Sequence, residues 1–168
     1  MNEKENGRDT LLAAAVRLRV EGRPEEARSL LLSLSAAHPT DAEVAYQTAW
    51  VHDVLGLEAE AVPFYERCLH GPGLSEEDRR GALLGLGSTH RVLGRYDRAV
   101  EVLSAGVEEF PDDGALRAFL AMALFNTGEY HACTRLLLEL VAADGQDPYV
   151  RQYRKAIEHY ARDLWATG

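Results

Sequence analysis

Isoleucine occurs once among the 168 residues, a scarcity that argues against a fold built on strands. Cysteine occurs twice, so no disulfide framework is expected. No apolar run approaches the ~18 residues that a membrane span requires. The stretch Met1 to Gly7 is polar and lacks the apolar core of a signal peptide. The expectation is therefore a cytoplasmic protein with no membrane partner. Lys and Arg total 18 against 27 Asp and Glu, a net charge of -9, and no basic cluster breaks the acidic balance. Nucleic-acid binders carry such clusters, so a nucleic-acid partner is not expected either. The acidic surplus favours solubility and, more weakly, basic partners. Glycine-rich phosphate loops, HExxH and CxxC spacings and nucleophile elbows do not occur. The chain reads as a non-enzyme with no catalytic residue, cofactor or metal.

What the sequence has in abundance is alanine and leucine, 24 of each. Both are strong helix formers, and the length suits one domain, so the fold class is all-α. Four glycines set a period. Gly22, Gly56, Gly94 and Gly128 are separated by 34, 38 and 34 residues. Each closes one apolar-periodic segment and precedes another, as a left-handed helix-terminating residue does. Other positions keep the phase. Small residues recur five after each glycine (Ala27, Ala61, Ala99, Cys133) and seven before it (Ala15, Ala49, Gly87, Ala121). A bulky residue stands nine after it (Leu31, Tyr65, Leu103, Leu137), and a chain breaker seventeen after it (Pro39, Gly73, Pro111, Gly145). Small residues at fixed points let antiparallel helices approach, and bulky ones fill the remaining gaps.

Such a helix–turn–helix unit of 34 residues, used four times, resembles the tetratricopeptide repeat. The likeness runs over about residues 8–147 and is strongest in GLGSTHRVLGRYDRAVEVLSAGVEEFPDD. The string AVPFYERCLHGPGLSEEDRRGALLGLGSTHRVLGRY also looks like the bacterial group 5 of that family. The resemblance implies a right-handed superhelix, an α-solenoid of four helix pairs and a capping helix. A disordered tail is expected at 1–7 and a single domain at 8–168. Its repeats would fall near 8–41, 42–79, 80–113 and 114–147, with the capping helix at 148–165. Helices are expected at 9–21, 24–37, 41–55, 57–70, 76–93, 96–109, 114–127 and 130–143.

Local signals refine these bounds. Thr40 to Glu43 reads as a capping box, Ser75 to Asp78 as a similar start, and Asp147-Pro148 as a cap before a first-turn proline. The 38-residue interval places a four-residue insertion around His70 to Ser75. Pro63 should kink the fourth helix or delay its start, since it deletes a backbone bond at a cost of up to ~3 kcal/mol. In the last helix Val150, Tyr153, Ile157, Tyr160 and Leu164 form one apolar stripe suited to covering the end of a stack. Nothing comparable precedes residue 9, which leaves the first end of the stack exposed or covered by a partner.

His52 and His90 both stand four residues before a turn glycine, at a position that the repeat usually buries. Adjacent helices could bring them within ~10 Å, but a third ligand is not evident, and packed, hydrogen-bonded rings are the plainer reading. Cys68 and Cys133 read as small apolar fillers.

The resemblance also implies that the first helix of each pair lines a concave groove. The carried-over positions are Leu12, Val16, Arg19 and Val20; Tyr46, Trp50, Asp53 and Val54; Leu84, Ser88, Arg91 and Val92; and Ala118, Met122, Phe125 and Asn126. Lysine is absent and apolar residues dominate, so gripping a peptide carboxylate is not expected. Tyr46, Trp50, Met122 and Phe125 are large side chains that a lone chain would expose there, as interaction surfaces do. Trp50 has a second reading, as core. Arg19, Asp53 and Arg91 either give polar selectivity or pair with one another. Three functions follow: a module binding a peptide, helix or protein through an apolar groove; a homodimer whose groove or open end is self-occupied; or a small chaperone for exported clients.

Overall fold

The computed structural model describes residues 3–164. Among these there are nine helices and no strand. They are α1 (Glu3–Val20), α2 (Pro24–Ala37), α3 (Ala42–Val54), α4 (Glu58–His70), α5 (Glu76–Val92), α6 (Tyr96–Glu109), α7 (Gly114–Thr127), α8 (Tyr130–Asp144) and α9 (Pro148–Arg162). Each packs on the next in sequence, and α1, α3, α5 and α7 also pack on one another in order. The result is a solenoid of helix pairs. Its core is a series of clusters along the stack rather than one centre, as expected where each repeat meets only its neighbours.

The period has a repeated hydrogen-bond cause. The four turn glycines have φ between 69° and 86°, where a side chain would be strained. The residue after each donates its N–H to the carbonyl five back: Arg23 to Leu18, Leu57 to His52, Arg95 to His90 and Glu129 to Leu124. Each glycine N–H bonds three back, to Arg19, Asp53, Arg91 and Phe125. These paired bonds are the Schellman closure of a helix.

The small positions are the contact points of the pairs. Ala15, Ala49, Ala121, Ala27, Ala61 and Ala99 have no exposed surface, and Cys133 is buried. At Gly87 an added Cβ would stand 2.7 Å from Leu103 Cδ2, so the approach of α6 needs the glycine. The bulky positions Leu31, Tyr65 and Leu103 are buried, but Leu137 is 43% exposed. In register with Ala121, α9 carries Lys155 instead of a small residue, and the pattern that covers earlier repeats ends there.

Several expectations change. The first helix begins at Glu3, so residues 3–7 of the expected tail are helical, while 1–2 lie outside the described residues. Next to residues 3–7, Arg8 makes a two-pronged pair with Asp41, Nε to Oδ2 at 2.9 Å and Nη2 to Oδ1 at 2.8 Å, and reaches Glu43 at 2.7 Å. Asp41, not Thr40, caps α3, accepting from the Val44 amide at 3.0 Å. Burial opposes ionisation of Asp41, but the Arg8 guanidinium and that amide outweigh it and hold the carboxyl below its usual range. The Ser75 and Asp147 caps form as the sequence indicates. Helix α4 starts at Glu58 and runs through Pro63, which is exposed. An exposed ring on the outer side of a helix costs a backbone bond without a clash in the core.

The capping stripe also divides. Val150, Ile157 and Leu164 are half-buried and Ala161 fully so, whereas Tyr153 and Tyr160 are 57% and 42% exposed. Packing on α8 thus recruits Ala161 and leaves the tyrosines outward. Residue 165 of the expected cap lies outside the described residues.

Candidate protein-interaction face

The odd-numbered helices α1, α3, α5 and α7 lie side by side and offer one common face. Two residues before each turn glycine an apolar side chain reaches solvent in the first three repeats: Val20 is 78% exposed, Val54 51% and Val92 58%. Trp50, Met122 and Phe125 are 41%, 42% and 59% exposed. A repeated exposed apolar position is a surface in register, unlike scattered single residues.

Two hollows open on this face. The first, about 460 Å³, lies among α3, α5 and α7 and is lined by Tyr46, Trp50, Asp53, Tyr65, Leu84 and Phe119, with Ser88 at its margin. The second, about 520 Å³, is lined by Arg91, Ala118, Met122, Phe125, Asn126 and Leu137. Arg91 Nε and Asn126 Oδ1 are buried there without a hydrogen-bond partner among the described residues. A third depression, about 880 Å³, runs along α1 past Leu12, Val16 and Arg17 to Glu43.

Not every residue expected on the face reaches it. Tyr46 is 6% exposed and Leu12 only 4%, so neither is a free surface residue. Leu12 packs with Ala27, Leu31 and Val44 in the first core cluster. Tyr46 lies against α5 at Gly81, where an added Cβ would stand 3.0 Å from its Cζ. Burial pushes the Tyr46 hydroxyl up to about 12. Gly85, one helical turn on, receives Tyr65 in the same way, with an added Cβ 2.5 Å from Cζ. The two glycines form a notch in α5 that draws both tyrosines inward. Their spacing of four within GALLGLG was the available sequence signal.

Arg19, Asp53 and Arg91 make no ion pair with one another among the described residues. The Arg19 guanidinium lies 3.5 Å from the centre of the Trp50 ring, a cation–π contact, and burial lowers its pKa. Trp50 also meets the Tyr46 ring, tilted against it at 5.7 Å, and remains 41% exposed. Asp53 accepts from the Tyr65 hydroxyl at 2.7 Å and from Thr89 Oγ1 at 2.8 and 3.0 Å. Burial raises its pKa against the opposing pull of those two donors. Val16, Leu84 and Ser88 are half-buried, as are Arg91 and Asn126. Phe119, Leu137 and Tyr130, which meets Phe125 at 5.2 Å, were not anticipated on this surface.

The two histidines have separate surroundings. His52 Nε2 accepts from Arg28 Nε at 3.0 Å, its Nδ1 lies 2.6 Å from the Thr48 carbonyl, and its ring stacks on Phe64. His90 is 4% exposed with Nδ1 unpartnered among the described residues, and burial lowers its pKa. Among the described residues no three His, Cys, Asp or Glu side chains converge as metal ligands would. The Cys68 thiol is buried and pushed up to about 12, the opposite of what a nucleophile needs. No helix among the described residues is long and apolar enough to cross a membrane.

Comparison with known proteins gives a family match. The group 5 model of the family described as Tetratrico peptide repeat matches residues 42–164. Curated protein sequences give no match. Solved structures match in fold. MamA from Desulfovibrio magneticus RS-1, in a form running from its residue 41 to the end, superposes with a TM-score of 0.72 at 21% identity, over 92% of this chain and 89% of that one. YrrB, described as a TPR protein with an unusual peptide-binding site, gives 0.72 at 19% identity, covering 95% and 81%. PilF of Pseudomonas aeruginosa gives 0.70 at 15% identity, covering 96% and 72%.

Proposed function

The chain belongs to the tetratricopeptide repeat family, and from that premise we propose that it binds a protein or peptide through the face of α1, α3, α5 and α7. The family is a non-catalytic scaffold for protein–protein interaction, and the finer reading concerns which surface serves. One observation carries it: the in-register exposure of Val20, Val54 and Val92 beside Trp50, Met122 and Phe125. Burying such side chains would favour association at roughly 25 cal/mol per Å² of apolar surface, before the costs of ordering a partner. The mechanism is the seating of a partner's apolar segment along the helices, with Arg91 and Asn126 offering a donor and an acceptor to its polar groups. The peptide-binding site that YrrB's description records supports a partner of that kind.

The test is loss of a partner on selective change of this face. Full-length chain is immobilised and exposed to lysate of the source cell, beside Trp50→Glu, Phe125→Glu and, on the exposed side of α6, Glu108→Lys. A protein retained by the wild type and Glu108→Lys, but lost from the other two, supports the reading. Equal retention by all four refutes it.

Self-association is a second reading, favoured by Tyr149, Tyr153 and Tyr160, which stand 70%, 57% and 42% exposed on the terminal helix. Light scattering across a concentration series separates the two. A dimer near twice 18.6 kDa that dissociates in Trp50→Glu places the second copy on the same face.

A further inference from the structure

The hollow among α3, α5 and α7 has a charge feature that apolar docking does not use. Asp53 is half-buried on its wall and makes no ion pair among the described residues. Its hydrogen-bond partners are neutral hydroxyls, Tyr65 and Thr89. An ionised carboxylate has about four acceptor positions, so these donors leave room for more. Isolated charge is costly in a half-buried setting, and the charge a carboxylate pairs with is a cation. The walls around it are aromatic: Trp50, Tyr46 and Phe119. Aromatic faces attract cations, and the chain already shows this locally, with its own Arg19 stacked 3.5 Å from the Trp50 ring centre.

We infer that this hollow receives a basic side chain, arginine or lysine, projecting from a protein partner, with Asp53 as its counter-charge and the aromatic rings as its walls. The inference rests on the face proposed above and gives the partner a chemistry: a basic residue set among apolar ones. Its shape and charge fit together. A hollow of about 460 Å³ accommodates a long side chain, and a net charge of -9 attracts a basic segment from a distance. Tyr65 and Thr89 act as positioning residues. They hold the carboxylate from behind, and the Gly85 notch fixes Tyr65 in turn.

The test uses the full chain with labelled tryptophan and follows the Trp50 indole N–H by NMR, assigned with Trp50→Phe. The probes are N-acetyl-arginine amide, N-acetyl-lysine amide and the neutral isostere N-acetyl-citrulline amide. Saturable shifts with both cations in the millimolar range, and a response about tenfold weaker or more with citrulline amide, are expected. Asp53→Asn should reduce the arginine and lysine responses to the citrulline level. An amide there can still accept from one hydroxyl and donate to the other, so the fold should persist. If that variant fails to fold, the citrulline comparison on the wild type decides alone. Equal responses to arginine and citrulline amides, or no saturable shift at all, overturn the inference. If capture from lysate depends on the face while the cations bind no better than citrulline, the face stands and the cation site falls. If cations bind but capture is indifferent to Trp50 and Phe125, the Asp53 pocket stands and the protein partner falls.

Discussion

Gly85→Ala is a sharp test of how α5 holds the tyrosine behind the hollow. Helix propensity alone predicts a gain, because alanine is favoured over glycine inside a helix by about 1 kcal/mol. The structure predicts the opposite. An added Cβ would stand 2.5 Å from Tyr65 Cζ and 2.9 Å from Cε1, and closer still to the hydroxyl. Carbon atoms rest about 3.5–4.0 Å apart, so ring and helix must separate by about 1 Å. Tyr65 is 2% exposed and has no solvent to retreat into. Overpacking of this kind costs about 1–3 kcal/mol. Displacing the hydroxyl from Asp53, now 2.7 Å away, forfeits a bond to a charged acceptor at about 1.5–3 kcal/mol. After the helical gain is subtracted, the net loss is about 1.5–5 kcal/mol. Urea unfolding followed by far-ultraviolet circular dichroism reads this as a midpoint lowered by ~0.8–2.5 M, taking a slope of about 2 kcal/mol/M. In a Tyr65→Phe background the same substitution should cost at least ~1 kcal/mol less, because the hydroxyl is already gone. A neutral or stabilising Gly85→Ala would refute the close approach and the positioning role drawn from it.

Two further stability predictions concern the frame. Ala99→Leu, at a position with no exposed surface, should destabilise by ~1–3 kcal/mol in the same urea assay, and a neutral result would contradict the phasing of the repeats. Asp41→Ala removes a helix cap and the Arg8 pair together and should cost about 2–4 kcal/mol at neutral pH. The pH dependence has a definite sign. The carboxyl's pKa is held below its ordinary 3.8 in the folded chain. Its contribution is therefore complete above that ordinary value and is lost as pH falls through the lower, folded one. The stability gap between wild type and Asp41→Ala should be constant from pH 5 to 7 and shrink below about pH 4, as read from urea midpoints across that range.

Much of the frame was legible because it repeats. Turn glycines 34, 38 and 34 residues apart, with small residues at fixed offsets, leave few alternatives, and backbone bonds closed by Gly22, Gly56, Gly94 and Gly128 follow directly. The starts of helices were less legible. Thr40 and Asp41 both suit a cap, and it is Asp41 that accepts from the Val44 amide while also pairing with Arg8. Residues 3–7 are polar and carry no apolar period, so nothing in the sequence signals the helix that the structure shows there. The face was legible by phase but not by depth. Tyr46 and Trp50 share a helix face four residues apart. One is buried and the other exposed because Gly81 on a different helix makes room for Tyr46 alone. Asp53 was marked by position, yet its hydroxyl partners come from α4 and α5, which no local pattern connects.

Lys155 stands in the register that Ala121 holds one repeat earlier. A ruler is lengthened by adding divisions, and the long charged side chain marks the helix whose register departs from the small residues of the earlier ones. Duplicating the stretch from α7 through α8 ahead of α9 would move that mark without erasing it. The lengthened molecule would carry one more division of the same face, so the size of target it can span becomes a countable property. Evolution or a protein engineer could change that count one hairpin at a time.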